Sequence, residues 1–406
     1  MPLGLSNRAV NMPASPIRKL VPLADEAKRR GVHIYHLNIG QPDIETPSCM
    51  LARLGTIEDR VLAYTPSVGT PEFLAAMQHY YAAQGIPLDT KQIIATTGGS
   101  EALLFSFMAC ANPGDEAIVP EPFYANYLAF AQMSGVKLVP LATSVENGFH
   151  LPPIEAWKAA ITERTRFIVL CNPNNPTGTV YEEHELRMVL ELCREHSLYL
   201  VADEVYREFV YDGRRAMSAL AFPEFSQHVI VADSLSKRYS ACGIRLGVFV
   251  TRNLELYDAA YRMAQGRLSA PGIAQMIAAA ATQLGPEYTD NVITEYQKRR
   301  DVLYEGLSTI PGVFLRRPEG AFYFVARLPV ADADAFARWL LTDFSHDGAT
   351  VMVAPASGFY ATPGGGKDMV RIAYVLNEHD LRKSVEILRL ALAAYPARVE
   401  AALQAT

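Results

Sequence analysis

The cysteines give no sign of an oxidised protein. There are five (Cys49, Cys110, Cys171, Cys193 and Cys242), an odd and scattered set without a C-x-x-C pair. They read as reduced thiols in a cytoplasmic protein, most of them small buried hydrophobes. Nine histidines show no H-E-x-x-H or comparable spacing, which leaves a metal site without support. Basic residues are not in excess: 37 Lys and Arg stand against 43 Asp and Glu, a net charge of -6. A dominant nucleic-acid surface is therefore not expected. No apolar run reaches the length of a membrane span. The opening MPLGLSNRAVNMPASPIRKL lacks the apolar core of a signal peptide. There is no internal repeat, and the glycines at 364–366 are too few for a linker. What is present is ample material for a folded core: 406 residues, 50% hydrophobic and 20% charged. That composition excludes disorder for most of the chain, and the length points to two domains.

Ser15-Pro16-Ile17 reads as a helix start, and the turn formers of NIGQPDIETP (38–47) as an ordered loop. From about Lys91, short apolar runs alternate with helical segments: IIATT at 93–97, AIVP at 117–120, KLVPL at 137–141, RFIVLC at 166–171, LYLVAD at 198–203, HVIVAD at 228–233 and RLGVFV at 245–250. Between the fourth and fifth, Leu186, Val189, Leu190 and Cys193 fall on one face of a helix. Continuously apolar runs suit strands buried on both sides, so the expected fold is α/β, a mostly parallel sheet in three α/β/α layers. After about residue 285 the pattern becomes a charged helix, a turn at Pro311-Gly312, and strand-like pieces (GVFLRR, GAFYFVARL, TVMVAP, MVRIAYV). A helix around DADAFARWLL interrupts them, and a last helix begins near Glu378. This predicts a large domain over 48–285, and a smaller α+β domain formed by 286–406 with the N-terminal segment 1–47.

In an open α/β sheet, ligands bind beyond the carboxyl ends of the strands. The polar residues that follow these runs are Gly98-Gly99-Ser100, Asn175, Asp203 with Tyr206, and Ser234, Ser236 and Lys237. Lys237 sits between a buried strand and a Gly-rich turn, a position that suits a Schiff base with a carbonyl; the plain alternative is a surface lysine in a flexible loop. Asp203 ends an apolar strand, where a carboxylate needs a cationic partner. A protonated pyridine nitrogen would serve, and Tyr206 would donate to a ring oxygen; a helix N-cap is the competing reading. The Pro-rich CNPNNPTGT loop aims Asn175, unless it is a simple turn. TTGGSEALLF has the form strand, glycine turn, helix, which fits a phosphate but also an ordinary helix entry. Tyr124, in PEPFYANY, offers a flat surface for a ring or merely packs.

Together these parts describe a phosphorylated, cationic aromatic ring with an aldehyde for lysine, which is pyridoxal 5′-phosphate. With YTPSVGTPEF, GGSEAL, PEPFYANY, NPNNPTG, ADEVY, SLSK followed by Gly243 and Arg245, and VRIAYV, the chain resembles the fold-type I aminotransferases of class I and II, the aspartate aminotransferase-like group. The motifs run in order from residue 38 to 375. The resemblance implies that Lys237 carries the cofactor and shuttles the proton, and that Asp203 pairs the ring nitrogen. Tyr206 and Asn175 would hold the ring hydroxyl, and Gly99, Ser100, Glu101, Ser234, Ser236 and Arg245 the phosphate end. Tyr124 would stack on the ring. Tyr64 would reach the phosphate of a neighbouring subunit, implying a homodimer with shared sites. Arg371, aided by Gly40 and Asn175, would clamp the substrate α-carboxylate; without the resemblance it reads as a surface ion pair.

The reaction so implied moves an amino group between an L-amino acid and a 2-oxo acid by ping-pong chemistry, with glutamate and 2-oxoglutarate as one pair. A β-C–S lyase or another non-transaminating enzyme of the same fold is the runner-up, and a non-enzymatic regulator the third reading. One position departs from a familiar pattern. Where one bacterial branch of aspartate aminotransferases has a lysine after the GG turn, this chain has Ser100 and then Glu101. Arg267, in QGRLSAPG, is the candidate replacement for reading a distal carboxylate. Arg18 and Lys19 are weaker candidates, and all three could equally be solvated charges.

Overall fold

The computed structural model describes residues 3–16, 18–58 and 60–399. Strand β1 (His33–His36) precedes a seven-stranded sheet built from β2 (Ile93–Thr96), β3 (Glu116–Glu121), β4 (Lys137–Ala142), β5 (Thr165–Cys171), β6 (Tyr199–Asp203), β7 (Val229–Ser234) and β8 (Gly247–Thr251). The order across this sheet is β2-β8-β7-β6-β5-β3-β4. Each strand falls on one of the seven apolar runs. All pairings are parallel except those of β8, which runs against both of its neighbours.

The runs are apolar throughout because both faces are covered. Along β5, Ile168 and Leu170 enter one core with Phe73, Trp157, Leu186 and Val189. Their neighbours Phe167 and Val169 enter the opposite core with Leu103, Phe107 and Phe130. The alternation simply divides one apolar string between two helical layers. The helix Glu183–Glu195 buries Leu186, Val189, Leu190 and Cys193, the face its spacing predicts, and opens on a capping box between Glu182 and Glu185.

From Pro286 a 23-residue helix, Pro286–Ser308, leads into β9 (Tyr323–Arg327), β10 (Ala349–Met352), β11 (Ala354–Pro355) and β12 (Met369–Ala373). Strands β11, β12 and β9 form an antiparallel sheet, while β10 pairs in parallel with β1. The N-terminal segment thus joins the C-terminal elements, and its Leu20, Ala24, Ala27, Ile34 and Leu37 share a core with Phe336, Leu340 and Leu388. The helices Ala333–Thr342 and Glu378–Ala394 lie where the sequence places them. Two local expectations change. GVFLRR is not a strand: it is a loop touching β9 through one isolated bridge, Phe314 with Arg327. The first long helix starts at Val21, with Pro22 in its first turn, rather than at Ser15-Pro16; Ile17 lies outside the described residues.

Candidate active site

The turns after β2, β5, β6 and β7 meet at one end of the large sheet, and β12 brings Arg371 to them from the other side. Lys237 lies in the short helix Leu235–Arg238 directly after β7. It is not a loose surface lysine. Its Nζ donates to the Gly40 carbonyl at 2.9 Å and sits 3.6 Å from the Cys242 sulfur. Gly40 has no room for a side chain, because a Cβ there would lie 1.5 Å from the Tyr323 hydroxyl.

Asp203 is buried at the end of β6, and no helix follows it, so the N-cap reading falls. Its Oδ2 accepts from the Tyr127 hydroxyl at 2.8 Å and its Oδ1 from the Val205 amide at 3.4 Å. Among the described residues no cation pairs with it. Burial pushes its carboxyl up to about 6, against the lowering effect of those two hydrogen bonds. Tyr206 is also buried, and its hydroxyl lies 3.0 Å from that of Tyr323. Asn175 donates to Tyr206 at 3.4 Å through its Nδ2. Burial raises the Tyr206 phenol well above its ordinary value, so it stays protonated and able to donate.

Arg371 mirrors Asp203. Its guanidinium is buried, between the rings of Tyr323 and Phe359 at 4.5 and 4.9 Å. It donates to Asn175 Oδ1 at 3.1 Å and to the Asn38 carbonyl at 2.6 Å, and its Nε has no partner. The surface ion-pair alternative is therefore excluded by position: no carboxylate meets this arginine among the described residues. Burial lowers its proton affinity. Asn175 is more than part of a turn, since it links Arg371 to Tyr206.

At the phosphate-like end, the helix Gly99–Cys110 starts without a side-chain cap. Gly98 has φ +73°, and a Cβ there would lie 2.6 Å from Arg245 Nη2. Arg245 is exposed and left-handed at φ +52°, a conformation costly for a non-glycine residue. Its Nη1 donates to the Cys242 carbonyl at 3.1 Å, and no carboxylate neutralises it among the described residues. Ser234 and Ser236 are buried, their hydroxyls 2.9 Å apart, and Ser100 stands in the first helical turn beside Gly99. Tyr124 is half-buried and accepts from Asn126 at 2.8 Å. Tyr64 is 81% exposed.

Two residues behave differently from what the sequence suggests. Glu101 faces away from an anion: its carboxylate accepts from the Thr97 amide at 2.8 Å and pairs with Arg267 Nε at 3.0 Å. The Arg267 Nη2 donates to the carbonyls of Ala95 and Ser67. Arg267 is thus neutralised within its own chain rather than held free for a distal carboxylate. Lys19 pairs with Asp334, and Arg18 is exposed.

Sequence reasoning misses Tyr127, Tyr323, Asn38 and Phe359. Tyr127 closes the same PEPFYANY motif that supplies Tyr124, so a buried carboxylate in need of a donor is a usable signal. Tyr323 and Phe359 come from distant segments, and no spacing links them to Tyr206 or Arg371.

The family described as aminotransferase class I and II matches residues 32–388 of this chain. The chain belongs to that family. This aminotransferase is 32% identical over 390 residues to the aspartate/prephenate aminotransferase of Thermus thermophilus, covering 94% of this chain and 97% of the relative. It is 30% identical over 399 residues to a probable aspartate/prephenate aminotransferase of Aquifex aeolicus, covering 96% and 98%. Among solved structures, the alanine aminotransferase of Pyrococcus furiosus superposes with a TM-score of 0.87 at 29% identity, covering 95% of this chain and 99% of that one. The fold is the fold-type I α/β architecture, the cofactor is pyridoxal 5′-phosphate, and the substrates are amino and 2-oxo acids. The lyase and regulator readings are not favoured. No helix among the described residues is long and apolar enough to cross a membrane.

Proposed function

We propose that this aminotransferase works through Lys237, with Asp203 and Arg371 as the two charges that orient cofactor and substrate. One observation carries the assignment. Two buried groups of opposite sign, neither with a counter-ion among the described residues, flank the Asn175–Tyr206 link beside a lysine. A buried charge without a partner is costly, and the cofactor's ring nitrogen and the substrate α-carboxylate are the missing partners. Bound here, pyridoxal phosphate supplies an electron-withdrawing ring that takes up the electrons left at the substrate Cα. The protein's residues do the rest. Asp203 holds the charge on the ring nitrogen, Tyr206 and Asn175 donate to the ring hydroxyl, and Tyr124 covers a ring face. The uncapped Gly99–Ser100 turn, Ser234, Ser236 and Arg245 receive the phosphate. Lys237 Nζ moves the proton from Cα, with the Gly40 carbonyl in reach to hold the free amine. Glu101 is left out of direct phosphate contact.

For substrates, we infer glutamate and 2-oxoglutarate as one pair. Aspartate, or a neutral or aromatic amino acid, forms the other. Ser100 in place of a lysine and the neutralisation of Arg267 by Glu101 support relaxed rather than strict aspartate specificity. The exposed Tyr64, with exposed Leu51, Leu54, Val61, Leu62 and Leu268, supports a homodimer in which Tyr64 reaches the partner's site; a monomer mass by light scattering would overturn it. The confinement of the large sheet to residues 93–251 supports the division into 48–285 and 1–47 plus 286–406. The unpaired cysteines support a cytoplasmic location.

The decisive experiment is borohydride reduction of the yellow holoenzyme followed by peptide mapping. Reduction should fix the cofactor on Lys237, and Lys237→Ala should lose both the covalent attachment and nearly all turnover. An adduct on any other lysine overturns the assignment. A donor screen against 2-oxoglutarate then tests specificity. An aspartate kcat/KM that exceeds those of alanine, phenylalanine and methionine by orders of magnitude refutes the relaxed reading.

A further inference from the structure

Behind the turns that carry Asp203, Tyr206, Ser234 and Lys237 lies a second set of charges that the proposed mechanism does not use. Arg207, Arg238, Glu204 and Asp233 are buried and Glu208 nearly so, with side chains 9% exposed or less. Each is a sequence neighbour of a cofactor-facing residue or lies within two residues of one: Glu204 follows Asp203, Arg207 follows Tyr206, Asp233 precedes Ser234, and Arg238 follows Lys237. The chain therefore presents one side of each turn to the active site and the other to this cluster.

The contacts tie the two turns together. Arg238 Nη2 donates to both oxygens of Asp233, at 2.9 and 2.7 Å, and its Nε donates to Glu208 Oε1 at 2.9 Å. Its guanidinium stacks on the Tyr80 ring at 3.7 Å. Asp233 Oδ1 also accepts from the Ser234 amide at 2.6 Å. Arg207 pairs with Glu204, and its Nη2 donates to the Tyr80 hydroxyl at 2.7 Å, which in turn donates to Glu208 Oε1 in the clasp. Arg238 thus bridges the turn after β6, through Glu208, to the start of its own turn after β7, through Asp233. Ion clusters this deep stabilise little beyond what apolar residues of equal volume would, because desolvation offsets the Coulomb gain; what they can supply is fixed geometry. Only a planar guanidinium can grip Asp233 with one nitrogen, Glu208 with another and Tyr80 with its face.

We propose that Arg238 is a positioning residue: with Asp233 and Glu208 it forms a buried clasp that sets the placement of Lys237 relative to Asp203 and Tyr206. The proposal rests on the assignment of Lys237 and Asp203 above. Loosening the clasp tilts the lysine and the ring it holds without removing any group that touches substrate.

The test uses holoenzyme of wild type, Arg238→Lys, Asp233→Asn and Tyr80→Phe. It reads visible circular dichroism of the bound cofactor, cofactor affinity, and kcat and KM separately. For Arg238→Lys the clasp gives a roughly ten- to hundredfold lower kcat, a misplacement effect. KM and cofactor affinity should stay within about threefold, and the visible dichroic band should lose half or more of its amplitude. Tyr80→Phe should shift the same two readouts in the same direction by a smaller amount. It serves as the second variant should Arg238→Lys or Asp233→Asn not fold. A folded Arg238→Lys enzyme with a lower melting temperature but unchanged kcat and dichroism overturns the proposal, leaving the clasp merely structural. So does an unchanged Tyr80→Phe if the other two do not fold. Failure of the underlying assignment looks different: the reduced cofactor adduct would map to another lysine, or the visible band would be missing from wild type.

Discussion

The two sides of the turns after β6 and β7 make a natural comparison. On the far side, each of Arg207, Arg238, Glu204, Glu208 and Asp233 has an oppositely charged partner at 3.7 Å or closer. On the cleft side, Asp203 and Arg371 are buried just as deeply and have none among the described residues. Burial carries the same electrostatic cost on both sides. The far side answers it with protein; the cleft leaves it open for the ligand. An unpaired buried charge therefore marks function here, and a paired one marks geometry.

The comparison is broken first by removing the cleft's negative charge, which is expected to affect both catalysis and stability. Asp203→Asn keeps the shape and can still accept from Tyr127, but it cannot hold a charged ring nitrogen. Its kcat should fall by at least about a hundredfold while the cofactor still binds. The same change should stabilise the cofactor-free chain. The Asp203 carboxyl is raised from 3.8 to about 6 by burial. The native state therefore holds a proton that the unfolded chain has released, and stability drops as pH rises from about 4 to 6 and stays lower above. Relieving this should add roughly 2–3 kcal/mol at pH 8 and almost nothing below pH 4. Urea titrations of the cofactor-free Asn variant that show no gain at pH 8 would mean the carboxylate has a partner after all.

Arg371 tests the opposite sign. Arg371→Leu removes the α-carboxylate's partner, and truncating one member of such a buried pair costs about 2–5 kcal/mol, or thirtyfold to several thousandfold in kcat/KM. Arg371→Lys should recover part of this, since a lysine keeps the charge but not the fork that also grips Asn175 and Asn38. Turnover of an amine without a carboxylate should change far less in either variant. Equal losses for amines and amino acids would exclude carboxylate binding and leave Arg371 only a packing role between Tyr323 and Phe359.

The same contrast between local and distant partners governs what is legible in the sequence. Period and burial make the seven strands of the large sheet legible, because a strand covered on both faces leaves an uninterrupted apolar run. The strand-end loops then name Lys237, Asp203, Tyr206 and Asn175. GVFLRR misleads because Val313 and Phe314 look strand-like, yet they pack at one edge and form a single bridge. β1 is invisible: its partner β10 lies more than 300 residues away, and parallel pairing leaves no local mark. Arg267 illustrates the deeper limit. Its charge is legible, but its neutralisation by Glu101 depends on two segments 166 positions apart meeting at one helix end. The clasp around Arg238 is hidden for the same reason, although its members adjoin the residues that the strand-end loops name.

The smallest effect lies on a paired charge at the back of the Asn175 loop, where the comparison predicts stability without catalysis. His150 Nδ1 donates to Glu185 at 2.9 Å, and its Nε2 lies 3.6 Å from Glu319. Glu319 and Gly320 in turn donate from their amides to the Gly178 carbonyl in the NPNNPTG loop. The two carboxylates raise the imidazole from 6.5 to about 10, its hydrogen bond to Glu185 first. Burial pushes Glu185 and Glu319 up, but their bonds to His150 and to backbone amides leave both below their ordinary value. Because the folded-state value of the histidine is the higher one, its contribution is fully present below pH 6.5 and is lost as pH rises towards 10. It also declines in acid as the carboxylates protonate below their ordinary 4.5, so the maximum falls between about pH 4.5 and 6.5. The shift sets an upper bound of roughly 5 kcal/mol, and solvent at the half-buried ring should reduce the observed effect to about 2 kcal/mol. His150→Gln should therefore lower stability by that amount at pH 6, by less at pH 8 and by almost nothing at pH 10, with kcat at neutral pH unchanged within about twofold. Urea denaturation of both proteins at the three pH values measures this. A difference that does not shrink with rising pH would assign the effect to packing rather than charge, and a large drop in kcat would place His150 on the functional side of the comparison.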